Sequence, residues 1–273
     1  MKITRYPHHH HRLRPLYETT LVRHLGATVI ATGVALAFAA LMVHFANPQN
    51  TFDINRISLR EVTVASFNTF ARMLFAFALS LAAAVPLALF IASTAQLQRV
   101  LLPIADILQS VPVLAFFPVV AAFFVAYHAF ELAAVFVIFL SMIWNIVFPV
   151  IGGLQTIPDD VKSMALVFNV RGFDRFWRIT LPATFPFIVT GSLLAWAQGW
   201  TIVIVAEVLH TYIPNGTASQ DLLGLGSLLV DSNAQGKNGV FILSLVAMIV
   251  LVTLLNLAVW QPLLHLSRRF RFD

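Results

Sequence analysis

The chain has 273 residues, of which 59% are hydrophobic and only 11% charged, and it contains no cysteine. A soluble domain is about 25% charged, so most of this surface is built for lipid, and a disulfide scaffold, a thiolate metal site and a cysteine nucleophile are all excluded. The formal net charge of +5 at pH 7 sits on basic residues between apolar runs, where it reads as a topology signal and not as a nucleic-acid surface.

In chain order, the first stretch carries Arg5, the run His8-His9-His10-His11, Arg12 and Arg14. It reads as a solvated basic tail, with metal binding by the histidines as the alternative. No small-residue cleavage site follows the apolar run near residue 40, so no cleavable signal peptide is expected. Six apolar segments are long enough, or nearly so, to cross roughly 30 Å of hydrocarbon: Leu25–Ala46, Met73–Ser93, Ile104–Tyr127, Leu132–Ile157, Phe185–Leu209 and Val240–Leu263. The expected fold is therefore an all-α polytopic membrane bundle. Residues 1–61 form a basic tail, a first span and an outer linker; residues 62–273 form a core of five spans. Only His128, Ala129, Phe130 and Glu131 separate the third and fourth segments, which predicts a tight helical hairpin.

The third segment is punctuated by Pro103, Pro112 and Pro118, with Gln109 and Ser110 between them. An interior proline removes a backbone hydrogen bond and crowds the preceding turn, so this segment is expected to be broken and packed inside the bundle. It reads equally as the wall of a pathway or as a kinked structural helix. Orientation follows from the cations. With the N-terminus in the cytoplasm, 13 of the 17 Lys and Arg lie in inside loops and 3 outside, with Arg72 at the outer edge of the second span. Both termini are expected to be cytoplasmic. The outer stretch from Thr211 to Gly239 contains Gly224-Leu225-Gly226 and predicts a short interfacial helix over Leu222–Val230.

The inside loop between the fourth and fifth segments, Ile157 to Pro182, is the most informative. Pro158 suits a first helical turn, and Asp159 and Asp160 suit its positive end. Val161, Ala165 and Phe168 recur at helical spacing, as do Val170, Phe173, Phe176 and Trp177. The pattern predicts two short amphipathic helices joined near Asn169, a residue that tolerates a left-handed cap, with Leu181-Pro182 ending the second. Their apolar faces need a bundle, a membrane surface or a partner to pack against. Polar groups inside spans mark a candidate pathway: Gln109, Ser110 and Pro112 in the third segment, Asn145 in the fourth, and Trp196, Gln198, Trp200 and Glu207 in the fifth. A carboxylate at membrane depth is costly unless paired or wetted; Glu207 is also close enough to the interface for simple solvation, and the tryptophans also suit packing.

These motifs resemble the binding-protein-dependent ABC importer permeases. The family loop reads Glu-Ala-Ala, three residues, Gly, then an aliphatic, aromatic and basic stretch ending in Leu-Pro. Aligned on Leu181-Pro182, the glycine falls at Asn169 and Glu-Ala-Ala at Ser163-Met164-Ala165. The chain keeps Ala165, Phe176-Trp177-Arg178-Ile179 and Pro186 and departs at Ser163, Met164 and Asn169. Gln109 to Pro118, Ala206 to Leu209 and Gly224-Leu225-Gly226 are similar to the nitrate/sulfonate/taurine branch. The resemblance covers about residues 62–272 and implies a type I importer fold whose loop is a coupling helix docked on an ATPase.

For this loop the resemblance implies a docking surface of Ala165, Asn169, Val170, Phe173, Phe176 and Trp177 with Arg171, Arg175 and Arg178. The implied partners are a cytoplasmic ATPase dimer that binds ATP and Mg, a second permease copy, identical or not, and a periplasmic or lipid-anchored binding protein, all at a bacterial inner membrane. The chain itself is expected to bind no cofactor, metal or nucleic acid and to carry no catalytic residue; no Walker A motif is present. The implied cargo is a small solute, such as sulfonate, taurine or nitrate. A secondary transporter would need mid-membrane ionisable groups and repeats. A membrane enzyme would need a cluster such as paired His and Asp, and His128, Glu131 and His210 match no catalytic spacing.

Overall fold

The computed structural model describes residues 59–212, 216 and 220–270, together with Thr32, Gly33 and Leu36. The expected first span, Leu25–Ala46, and the His8–His11 run lie outside the described residues apart from those three; the Thr32 and Thr253 hydroxyls hydrogen-bond at 3.0 Å.

Among the described residues the fold is entirely helical. Helix α1 is Leu59–Ile91, α2 Ala95–Ser110, α3 Val113–Ala126 and α4 Phe130–Gln155. Two short helices follow, α5 Asp159–Val167 and α6 Gly172–Arg175; a π turn, Phe176–Thr180, joins α6 to α7, Leu181–Glu207. A further short helix, α8, Leu225–Ala234, precedes α9, Asn238–Leu255, which runs through a second π turn, Asn256–Trp260, into α10, Gln261–Ser267. Among the described residues, four helical segments are long and apolar enough to cross a membrane, five if the bent α2–α3 pair counts as one.

Several expectations need correction. Helix α1 begins at Leu59, ahead of the apolar run from Met73, and carries the polar Glu61, Thr63 and Asn68 in that added part; at 1.5 Å per residue its 33 residues extend about 50 Å. Arg72 therefore lies within the helix. The third segment is broken, with α2 and α3 at 81°. Pro112 forces Val111 into an extended conformation (φ −76°, ψ 124°). It is not packed inside this protomer, however. On α2 only Ala105 is buried and on α3 Phe117 and Ala121, leaving Ile107, Phe116 and Val119 exposed.

Leu181-Pro182 does not end the second loop helix, either. Pro182 has no N–H for the carbonyl four residues back, and its ring crowds that carbonyl. The wider π turn absorbs the conflict, with the Leu181 N–H donating to the Phe176 carbonyl, so Gly172–Glu207 runs as one helical segment. The same device recurs before Pro262, where the Gln261 N–H reaches the Asn256 carbonyl.

The core lies where α4 packs between α1 and α7. Small residues set the spacing: Ala65, Ala76, Ala84 and Ala88 on α1 are all fully buried, and the Ser80 hydroxyl donates to Ala76 in its own helix and to Phe139 on α4. On α7 a Cβ at Gly191 would lie 2.8 Å from the Asn145 carbonyl oxygen and 3.0 Å from the Ile146 Cα, so only glycine permits this close backbone approach. The third–fourth hairpin turn is tight, with His128 in the left-handed region at φ 54°.

Candidate functional site

The loop between α4 and α7 is built from α5, α6 and the turn between them. Asn169 adopts φ +53°, and this left-handed residue lets the Val170 N–H reach back to the Ala165 carbonyl at 2.9 Å while the Phe168 N–H bonds Met164 at 3.0 Å. That is the cap geometry a glycine ordinarily supplies. Ala165 is buried beneath the loop, and Val170 and Phe176 are half-buried. The outward apolar surface keeps Phe173 and Trp177 of the expected set and adds Met164, Val167 and Phe168, with Val167 81% and Phe173 76% exposed. Phe173 and Phe176 both stand edge-on to Trp177, at 5.9 and 5.7 Å. Asn169, Arg171, Arg175 and Arg178 are exposed, and Arg178 lies 3.7 Å from Asp174. Phe173 and Trp177 are thus exposed as the sequence suggests, whereas Met164, Val167 and Phe168 are not among the docking residues it singles out, because their exposure depends on which side Ala165 anchors.

The mid-membrane candidates separate onto two faces. Trp196 and Trp200 are buried with Phe70, Phe77 and Trp260, the Trp196 and Trp260 rings 5.9 Å apart. Gln198 lies on the opposite face of α7, in an exposed stripe with Thr190, Leu194, Ala197 and Thr201. Asn145 is half-buried and its amide donates to the Ser141 carbonyl of its own helix at 3.0 Å. Gln109, Ser110 and Pro112 are exposed at the α2–α3 break.

Glu207 is not solvated at the interface; it is fully enclosed. Its Oε1 accepts from the Thr69 hydroxyl at 2.7 Å and from Arg72 Nη1 at 2.8 Å, and its Oε2 accepts from the Gly226 N–H at 2.7 Å. Arg72 turns its remaining fork to Glu131, at 2.6 and 2.7 Å. The Thr69 hydroxyl also accepts from the Leu225 N–H, and Arg72 donates to the Leu223 carbonyl. These bonds clamp the start of α8 to α1 and α7. A Cβ at Gly224 would run into the Glu207 carboxylate, and one at Gly226 would lie 2.5 Å from the Ile204 Cα; the Gly224-Leu225-Gly226 motif is thereby explained as the seat of a buried carboxylate. This network was missed in the sequence because its members are far apart in the chain, although Arg72 and Glu207 each stood out as a charge near a span end.

Beyond the end of α7, His210 Nδ1 meets Asp221 at 2.6 Å. Burial first, then the Asp221 charge, raises the Asp231 carboxyl above its ordinary range, opposed by His210 and Lys237. Glu131 and His210 thus serve separate pairs, and among the described residues no group of three His, Asp or Glu is placed to hold a metal.

Comparison with known proteins places these features. A family model for the binding-protein-dependent transport system inner membrane component matches residues 84–271. The nitrate import permease protein NrtB of Leptolyngbya laminosa is 32% identical over 174 residues, covering 64% of this chain and 58% of that protein. The bicarbonate transport system permease protein CmpB of Synechococcus elongatus is 26% identical over 184 residues, 67% of this chain and 61% of the relative. A putative ABC transporter permease protein of Methanocaldococcus jannaschii is 25% identical over 213 residues, 78% and 73% respectively. The chain spans 58% and 57% of the length of the Leptolyngbya and Synechocystis nitrate permeases.

Proposed function

The chain belongs to the family of binding-protein-dependent transport system inner membrane components, and from that premise we propose that it is the membrane-spanning permease subunit of an ATP-driven importer for a small oxyanion. The observation that carries the proposal is the outward apolar surface of the cytoplasmic loop. Met164, Val167, Phe168, Phe173 and Trp177 stand exposed on helices too short and polar to enter the bilayer. Exposed apolar clusters of this kind mark protein interfaces. The partner is a cytoplasmic ATPase dimer that binds ATP and Mg, with Arg171, Arg175 and Arg178 supplying the polar rim and both chain termini on the same side.

Two permease copies enclose the pathway. The α7 stripe of Thr190, Gln198 and Thr201 supports its placement: exposed amide and hydroxyl groups at membrane depth are poorly accommodated by lipid. Gln109, Ser110 and Pro112 at the α2–α3 break extend that lining. ATP-driven closure of the ATPase dimer moves the docked loops, and the helices respond by changing which side is open. A binding protein delivers cargo from the outside. The names of the nitrate and bicarbonate relatives support a small planar oxyanion as cargo over a sulfonate or taurine. The test is co-purification from gently solubilised membranes. Wild type retains an ATPase subunit at roughly equal stoichiometry, and Phe173→Ala plus Trp177→Ala loses it while remaining monodisperse. A well-folded wild type with no ATPase under any mild condition refutes the docking role.

A further inference from the structure

A cavity of about 420 Å³ opens behind the cytoplasmic loop, between the turn that follows α1, the start of α2, the end of α4 and the π turn leading into α7. Arg175, Gln98, Gln155 and Thr180 line its polar side, and Leu154 and Ile179 form an aliphatic wall. No carboxylate lines it. Among the described residues Arg175 makes no ion pair, since its neighbour Asp174 pairs with Arg178.

An arginine without a counter-charge, beside two amides and a hydroxyl, is an arrangement of donors awaiting an anion. The volume falls within the roughly 300–1,000 Å³ of small-molecule sites. A three-oxygen anion, only about twice a water's ~30 Å³ share of liquid, would leave most of it empty, so the cavity is not shaped for the proposed cargo. A phosphate group carrying a glycerol or aliphatic body fills both halves. In the orientation of the proposed function, on which this step rests, the cavity opens at the cytoplasmic ends of the spans, on the side of the leaflet that carries anionic lipid.

We propose that this cavity binds a phosphate-bearing ligand through Arg175, Gln98 and Gln155, supplied by the headgroup of an anionic phospholipid. Arg175 is shared with the proposed ATPase-facing rim, so binding is read on the isolated chain with no ATPase present. The test uses the full chain purified and delipidated in detergent, with binding read by native mass spectrometry and by thermal shift. Short-chain phosphatidylglycerol binds wild type and raises its melting temperature, whereas phosphatidylcholine, whose phosphate is neutralised by its own choline, binds roughly tenfold more weakly. Arg175→Gln weakens phosphatidylglycerol by roughly tenfold, the value of one charge-assisted bond to phosphate. Gln155→Leu, a second variant that keeps every charge, also weakens it, and Arg178→Gln, outside the lining, leaves it unchanged. If inorganic phosphate at millimolar concentration gives the same Arg175-dependent shift, the site stands and its ligand is soluble. Equal binding of the two lipids, or phosphatidylglycerol binding that Arg175→Gln and Gln155→Leu leave intact, overturns the proposal.

Discussion

Glu207→Ala is the most informative perturbation of the membrane core. The carboxylate is fully enclosed and accepts from Thr69, Arg72 and the Gly226 N–H. Its removal leaves Arg72, 5% exposed, with the Leu223 carbonyl and with Glu131, whose own side chain is 61% exposed, and it strands one hydroxyl and one backbone N–H. Breaking a buried ion pair from one side costs about 3–5 kcal/mol, and unsatisfied neutral donors each cost about 1–3 kcal/mol. Because Arg72 keeps one carboxylate, the exposed Glu131, the low end is expected, about 3 kcal/mol. At roughly 2–4 °C per kcal/mol for a chain of this size, the melting temperature in detergent falls on the order of 10 °C. Arg72→Ala leaves Glu207 enclosed without its counter-charge and is at least as damaging. The double variant, Arg72→Met with Glu207→Leu, removes both charges and costs less than the sum of the two alanine variants. The assay is a thermal unfolding series on the purified chain. A Glu207→Ala shift below about 2 °C, or strict additivity of the pair, refutes the idea that this network clamps the outer helix.

The other expectations concern single backbone or charge positions. Gly226→Ala places a methyl 2.5 Å from the Ile204 Cα and loses about 1–3 kcal/mol by overpacking, whereas Gly152→Ala, which meets nothing within 4 Å, is neutral or stabilising; equal melting temperatures for the two contradict the close packing of α8 on α7. Asn169→Gly preserves the loop because glycine adopts the observed φ of +53° freely, while Asn169→Val costs about 1–2 kcal/mol; protease resistance of the 159–181 segment reads the difference, and a valine variant as resistant as wild type refutes the cap assignment. The Asp231 carboxyl is raised by burial and by Asp221, so the folded protein holds that proton more tightly than the unfolded chain. This residue's contribution to stability therefore declines as pH rises from the ordinary carboxylate range through the raised value. Asp231→Asn flattens that decline, and identical pH profiles of melting temperature for the two proteins sink the assignment.

Much of the fold is one-dimensional information. A lipid solvent requires every backbone group to be satisfied within its own helix, so runs of apolar residues locate the spans, and cation counts suggest their direction. Local chemistry was equally legible. Asn169 is a left-handed cap because its side chain tolerates that conformation, and Pro112 breaks the third segment because it lacks a donor and constrains Val111. The π turns before Pro182 and Pro262 follow from the same missing N–H, although the proline alone does not say whether a helix will end or widen; in both places the continuing apolar run keeps the helix intact. What the chain order could not reveal is which side of each helix faces what. Trp196 and Gln198 are two residues apart and read alike as pathway candidates, yet the helical turn sends one into the core and the other outward. Ala165 and Met164 are adjacent and exchange roles for the same reason. Arg72, Glu131 and Glu207, spread over 135 residues, become one network only when α1, α4 and α7 pack. Burial of a charge is a property of the packed neighbours and not of the residue, so composition and periodicity determined that this chain lives in a membrane, while the tertiary structure alone decided which of its few charges are sealed inside.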